Sequence, residues 1–397
     1  MSDAVSRLRD PRTIRERATS LLAHIERGQS AWFTFDPAGL ERAAEATLAV
    51  TRRRFPDPAA IPLHARWRHF APDGTDRFAA LLPRLSTLTP RERARRMIDL
   101  AVVSVLLDAG AGPDWSWREP GSANRFARSE GLALASLDMF ARGAFSRDAT
   151  DPLRVDAGRL VRFTAGDLAA GFQVRAHNPL AGLDGRAGLL QRLGTVGLDR
   201  PGDLLDLIAP PAVKEIPATA LLSAILERLG AIWPSRLTLD GVALGDVWRH
   251  DAVRTGDGTA GYVPFHKLSQ WLAYSLVEPL LEAGVAVRDL DALTGLPEYR
   301  NGGLLIDHGA LVPRRPELLS DSFTPADEPI VEWRAATVAL LDRIAMRARE
   351  RLGLDAVSLP LAKILEGGTW VAGREIARER RPDGGPPIRV QSDGTVF

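Results

Sequence analysis

Eight stretches of this chain carry apolar residues at helical spacing, and they do not alternate with strand-like runs in βαβ order. That pattern argues against a doubly wound sheet and for helices packed on helices. Residues 12–28 place Ile14, Leu21, Leu22 and Ile25 on one stripe and stop at Gly28, which suits a helix C-terminus. Residues 89–109 open on Thr89-Pro90, a cap followed by proline at the first helical position. Met97, Ile98, Ala101, Val102, Val105 and Leu106 then form a wide apolar face. The other six helical stretches are 122–142, 158–170, 214–229, 264–283, 328–350 and 359–380. Asp327 or Glu328 caps or opens the 328–350 helix, because Pro329 follows and an apolar run begins. Three short hairpins are expected, at Asp240-Gly241, His308-Gly309 and Asp393-Gly394. The fold class is therefore mainly α with a few short β-hairpins. It reads as one catalytic unit over 1–397, or as two helical lobes of about 1–200 and 201–397.

Composition excludes several function classes. There is no cysteine, which removes disulfides, thiolate nucleophiles, thiolate metal sites and Fe–S clusters together. The N-terminus is charged, and no stretch reaches the roughly 20 apolar residues of a membrane helix. A cytoplasmic protein with no membrane partner is expected, as a monomer or homodimer. The formal net charge of +1 gives no global case for nucleic acid. The 189–207 segment has two apolar runs around a Gly-rich turn, but at this charge a plain helical connection outweighs a helix–hairpin–helix element. All but three of the 51 basic residues are arginine, so Lys214, Lys267 and Lys363 persist against a strong bias. A lysine is a compact point charge and an arginine a planar fork, which is one reason for such persistence; chance is the other.

Candidate chemistry is densest between residues 245 and 307. His266, Lys267 and Gln270 stand near the N-terminal end of the 264–283 helix, where free N–H groups and the macrodipole favour an anion. The PEYRNGG segment, 297–303, reads as a turn presenting Glu298, Tyr299, Arg300 and Asn301 on irregular backbone. A carboxylate beside an aromatic ring can have a raised pKa and serve as acid or base. The plainer alternative is a polar turn with a Glu298–Arg300 ion pair. GDVWRH contributes Asp246, Arg249 and His250, FQVRAHNPL contributes Arg175, His177 and Asn178, and the 318–334 segment contributes Asp321. Metal is not expected, since there is no HExxH and His64 and His69 are wrongly spaced for one helix face. No GxSxG, Walker A or dinucleotide fingerprint is present, and no cofactor is implied.

Several long blocks resemble a known family. They are the segments at 172–194, GDVWRH (245–250), the PFHKLSQWL block through EPL (264–280), LTGLPEYRNGGLLID (293–307), the DEPIVEWR block through LLDRI (327–344) and the GGTWVAGREIA block through SDGTVF (367–397). On these the chain is identified as a member of the Urc-type uracil-catabolism family, over most of its length. The resemblance implies a place in the pathway that passes through ribosylurea, with release of urea from a ribosyl unit. A remoter likeness is to queuosine-salvage nucleotide N-glycosylases. Phe265-His266-Lys267-Leu268-Ser269-Gln270 resembles their Phe-Tyr-Lys-Arg-Ala-Gln helix, Glu298-Tyr299-Arg300 their Asp-Tyr-Arg, and Val331-Glu332-Trp333-Arg334 their Val-Glu-Ile-Arg. Here glutamate replaces aspartate at 298 and histidine replaces tyrosine at 266. This likeness implies a helical fold similar to DNA and queuosine glycosylases and cleavage of an N-glycosidic bond.

Such cleavage passes through an oxocarbenium-like transition state and needs charge stabilisation at C1, an activated water and a protonated leaving nitrogen. The resemblance makes Glu298 the carboxylate facing C1 or the water, with Asp246 or Asp321 as the second. Lys267, with Arg300 or His266, would hold a 5′-phosphate of a small ribosyl substrate. Tyr299, Asn301, Arg249 and His250 would bind ribose hydroxyls or urea. An amidohydrolase acting on the urea group, a non-catalytic binding or scaffold protein, and a DNA-binding glycosylase relative are the competing readings. The near-zero charge disfavours the last.

Overall fold

The computed structural model describes residues 2–234 and 236–391. The chain divides into two compact units. Of the described residues, the first comprises 2–64, 237–270 and 289–391, and the second 65–234, 236 and 271–288.

The first unit is organised around helix Glu328–Leu352, which packs along helix Pro11–Glu26. Ile330, Val331, Trp333, Val338, Leu340, Leu341 and Ile344 on the long helix are all buried, as are Ile14, Leu21, Leu22 and Ile25 on its neighbour. Two helices of this unit start on a capping aspartate followed by proline. Asp10 accepts from the Arg12 amide with Pro11 at the first helical position, and Asp36 accepts from Ala38 and Gly39 with Pro37 likewise placed. Asp327 and Glu328 take the cap and first-turn positions of the long helix, which stops at Gly353 in the left-handed region. Helix Tyr299–Asp307 lies against helix Trp370–Arg380. The contact requires Gly373, where a Cβ would lie 2.3 Å from the Arg300 carbonyl oxygen. The 359–380 stretch is helical but interrupted by a π-helical turn at Leu365–Thr369.

Among the described residues, extended structure is confined to two-residue and three-residue strands. Thr238–Leu239 pairs with Val242–Ala243 across Asp240 and Gly241, both at positive φ, which is the expected hairpin. The one expected at His308-Gly309 is instead a helix end. His308 caps helix Tyr299–Asp307, Gly309 follows at φ 73°, and Leu311–Pro313 crosses to pair with Phe33–Phe35. A glycine in that conformation serves a hairpin or a helix terminus equally well. At the third candidate, Asp393-Gly394 lies outside the described residues, while Arg389–Val390 pairs in parallel with Ser322–Phe323.

The second unit holds helices Pro90–Leu106, Arg128–Ala141, Leu183–Leu193 and Ala218–Leu229. Strands replace the first turns of two expected helices, at Arg125–Ala127 and Glu215–Pro217, and 158–170 divides into Ala157–Leu160 and Ala165–Gly171. The 189–207 segment is the end of one helix, a 3₁₀ turn and a short helix. Arg186 is buried and donates to the carbonyls of Leu107, Ala109 and Gly110, satisfying acceptors at and beyond the end of helix Pro90–Leu106. No helix among the described residues is long and apolar enough to cross a membrane.

Candidate active site

Asp246 is 6% exposed and spends its carboxylate on structure. Its oxygens take both terminal nitrogens of Arg334 at 2.9 Å, the Trp248 indole N–H at 2.6 Å and the Lys267 amide at 2.9 Å. Its carbonyl accepts from the amides of Phe265 and His266. Burial alone would raise its pKa, but the Arg334 charge and these hydrogen bonds hold it well below the usual carboxylate range. So placed, Asp246 anchors the start of helix Lys267–Glu282 and stays ionised, which suits neither a general acid nor a water-activating base.

His266 joins that anchor. It sits at φ 47°, a region costly for a non-glycine residue, and its Nε2 donates to the Leu8 carbonyl at 3.0 Å. Burial pushes its pKa down, so the ring is neutral and turned to backbone, unlike the phosphate-holding cation that its sequence position suggests. Gln270 is fully buried and clamps Thr294 through its amide and hydroxyl. It is a staple rather than a substrate contact.

The 297–303 segment is not an irregular turn. Glu298 is the N-cap of helix Tyr299–Asp307, its two oxygens accepting the amides of Arg300 and Asn301 at 2.7 Å each. Glutamate is a poor cap compared with Asp, Asn, Ser or Thr, which is why the sequence pattern does not announce a helix there. Burial pushes the Glu298 pKa up, opposed by the two amides and by the charges of Arg300 and Lys267. Each oxygen uses one lone pair on an amide and keeps another for a ligand.

Beside Glu298, consecutive residues leave polar atoms unspent. Asn301 is fully buried, its Nδ2 donates to the Leu296 carbonyl at 3.3 Å, and its Oδ1 has no partner. Arg300 is 5% exposed and its Nη2 is buried without a partner. Buried polar atoms are almost always satisfied, so two adjacent exceptions mark a place where a ligand would supply the missing bonds.

A second buried set lies around His250. The Ala252 amide donates to its Nδ1 at 3.1 Å, so Nε2 carries the proton and donates to Glu332 at 3.1 Å. The other Glu332 oxygen takes the Ser30 hydroxyl, whose oxygen accepts the amides of Trp32 and Phe33. The carboxylate stands between serine and histidine, so the histidine does not take the serine proton, and the set is a brace. Arg249 is exposed and stacks on Tyr262 with Cζ 3.6 Å from the ring centroid.

The comparisons with known proteins fall on this background. The family model described as protein of unknown function, DUF1688, matches residues 7–397. The chain belongs to the DUF1688 family. Two DUF1688-like relatives align over the full length of both partners. "Protein urg3" of Schizosaccharomyces pombe is 39% identical over 410 residues, and "Uracil catabolism protein 4" of Lachancea kluyveri is 36% identical over 440 residues.

In this DUF1688 chain the remaining sequence candidates fall elsewhere. Asp321 is exposed at the end of a short helix, where its carboxylate takes the Ser320 hydroxyl. Arg175, His177 and Asn178 belong to the second unit. There Asn178 ties Ser116 to Gln173, while Arg175 and His177 are exposed. Sequence reasoning missed Trp370, over whose ring the Arg300 guanidinium lies at 4.6 Å, and the pair His64–Glu366 at 2.9 Å. The Gly367-Gly368-Thr369-Trp370 run was the available signal, since paired glycines inside a helix pattern need a packing reason.

Proposed function

We propose that this protein is an N-ribosyl hydrolase of uracil catabolism that cleaves the ribosyl C1–N bond of ribosylurea or its 5′-phosphate. The observation that carries the reading is Glu298, a carboxyl with a raised pKa at a helix N-terminus, beside a buried acceptor and a buried donor with no protein partner. The relative named for uracil catabolism supports the pathway. In the reaction the C1–N bond breaks, the water oxygen bonds to C1, one water proton goes to Glu298 and from there to solvent, and the departing nitrogen takes a proton from solvent, giving urea and the free sugar. Glu298 takes the water proton and faces the positive charge that develops at C1. Asn301 Oδ1 accepts an N–H of the ureido group. The two capping amides, and after them the charges of Arg300 and Lys267, oppose the rise that burial imposes on the Glu298 pKa.

The test is incubation of the purified protein with ribosylurea and with its 5′-phosphate, with separate assays for urea and ammonia. Urea together with ribose or ribose phosphate supports the reading. Ammonia without urea moves the chemistry to the urea group, and no product from either compound makes this a binding protein of the pathway.

A further inference from the structure

Thr369 is fully buried, and its hydroxyl has no protein partner. Other buried threonines on helices of the same unit use theirs. Thr47, Thr51 and Thr337 each donate to the carbonyl four residues back, at 2.8, 2.9 and 2.8 Å. Thr369 ends the π-helical turn Leu365–Thr369, where the Leu365 carbonyl takes the Trp370 amide, five residues on. In this wider turn the carbonyl four residues back is no longer stacked under the threonine side chain. The turn is also held in place. Gly368 packs on helix Pro37–Arg54, where a Cβ would lie 2.5 Å from Thr47 Cγ2, and Glu366 takes His64 at 2.9 Å. A buried hydroxyl without a hydrogen bond is costly, so this one calls for a partner from outside the protein.

The packing of two helices says where that hydroxyl sits. Gly373 meets the Arg300 carbonyl, and Arg381 holds both oxygens of Asp307, at 2.8 and 2.5 Å. Helices Tyr299–Asp307 and Trp370–Arg380 therefore run parallel, with 373 level with 300 and 381 level with 307. Thr369, its backbone already helical, lies one turn before Gly373 on the same face. That sets it level with residues 296–298, the end that Glu298 caps. At the same end Asn301 donates to the Leu296 carbonyl and leaves its Oδ1 without a partner. We propose that Thr369 holds the water that attacks C1, its hydroxyl oxygen accepting the O–H that Glu298 does not take. This deepens the hydrolase reading and rests on it. A carboxylate fixes one O–H of a water, and a second acceptor stops rotation about that bond, so that an oxygen lone pair faces C1. A hydroxyl suits the task because it adds no second charge beside the buried carboxyl. It takes no proton: the second hydrogen stays on the water oxygen and ends on the C1 hydroxyl of the sugar.

The experiment measures urea release by the full chain and its variants, on ribosylurea and its 5′-phosphate, without and with methanol. Thr369→Val keeps the side-chain shape and removes the hydroxyl. It should lower kcat about 10–100-fold and leave KM within about twofold, because positioning is lost and substrate binding is not. Thr369→Ser should keep kcat within about threefold. Methanol lacks the second O–H, so the wild type should favour water and form little methyl glycoside. Thr369→Val, with a methyl where the hydroxyl was, should raise the ratio of methyl glycoside to free sugar at least about threefold. The lost hydroxyl has no protein bond, so Thr369→Val should keep or raise the thermal midpoint. Thr369→Ala repeats the kinetic comparison with a smaller side chain. Unchanged kcat or an unchanged methanol ratio in Thr369→Val would overturn the proposal, as would a lowered midpoint, which marks a structural bond. Urea released equally by wild type and Thr369→Val strikes the water contact alone. No urea from the wild type strikes the hydrolase reading, and this proposal with it.

Discussion

Replacing Asp246 by asparagine separates the two roles open to that residue. The carboxylate holds Arg334 through two bonds of 2.9 Å and also takes the Trp248 indole and the Lys267 amide. An amide keeps one oxygen for these four donors and turns an N–H₂ toward the rest, and Arg334 is left as a buried charge, 1% exposed. Breaking a buried pair in this way costs about 3–5 kcal/mol. For a body of about 200 residues each kcal/mol shifts the thermal midpoint by roughly 2–4 °C, so Asp246→Asn should lower it by roughly 6–20 °C. Differential scanning calorimetry reads this directly. The pH dependence supplies a second readout. The folded pKa of Asp246 is depressed, so its stabilisation is present above the unfolded value of about 3.9 and is lost as pH falls further toward the folded one. Asp246→Asn should flatten that acid limb. The double variant Asp246→Asn with Arg334→Met should lose less than the sum of the singles, because the uncompensated charge is gone. A stability within about 1 kcal/mol of wild type, with turnover down a hundredfold or more, would refute the reasoning and make Asp246 a proton-transfer group.

Other perturbations test other parts of the fold and site. Glu298→Gln should cut kcat by about 10²–10⁴ while costing only about 0.5–2 kcal/mol as a weakened cap, read by a urea-release assay and urea denaturation. Because burial raises the folded pKa of Glu298, its contribution to stability is full below the unfolded value of about 4.3 and fades as pH rises through the folded one. Glu298→Gln should therefore be less sensitive to rising pH over that window, in denaturation midpoints measured at stepped pH. Gly373→Ala forces a methyl to 2.3 Å from the Arg300 carbonyl oxygen and should cost about 1–3 kcal/mol by denaturation. Ser30→Ala removes the hydroxyl shared by Glu332 and two amides and should cost about 1–3 kcal/mol by denaturation.

The helices were legible because caps and apolar stripes agreed, as at Thr89-Pro90 and Asp327-Glu328. The misread segments have local physics that serves two structures. Gly309 fits a hairpin turn or a helix end, and only the pairing of Leu311–Pro313 with Phe33–Phe35 decides between them. Glu298 hides a helix start because its long side chain must fold back to cap. Glu298, Arg300 and Asn301 stood out in the sequence as a polar run, but the cap that Glu298 forms and the duty of each neighbour did not. Asp246, His266 and Gln270 look like chemistry because they are polar and clustered, yet each is spent on backbone or on a buried partner. Trp370 lies 70 residues beyond Arg300, and spacing along a chain carries no signal for such a contact.

The π-helical turn at Leu365–Thr369 also sets a phase. It accommodates one more residue than an α-helical path would, so everything after it is rotated by about 100° relative to an uninterrupted helix. Deleting one residue there would restore a regular helix and swing Trp370 and Gly373 off the face they share with Arg300, without altering any side chain in the site. Length in this stretch is thus under tighter constraint than identity. A homologue missing one residue between 361 and 369 should have lost the arginine's platform even if it keeps both the arginine and the tryptophan.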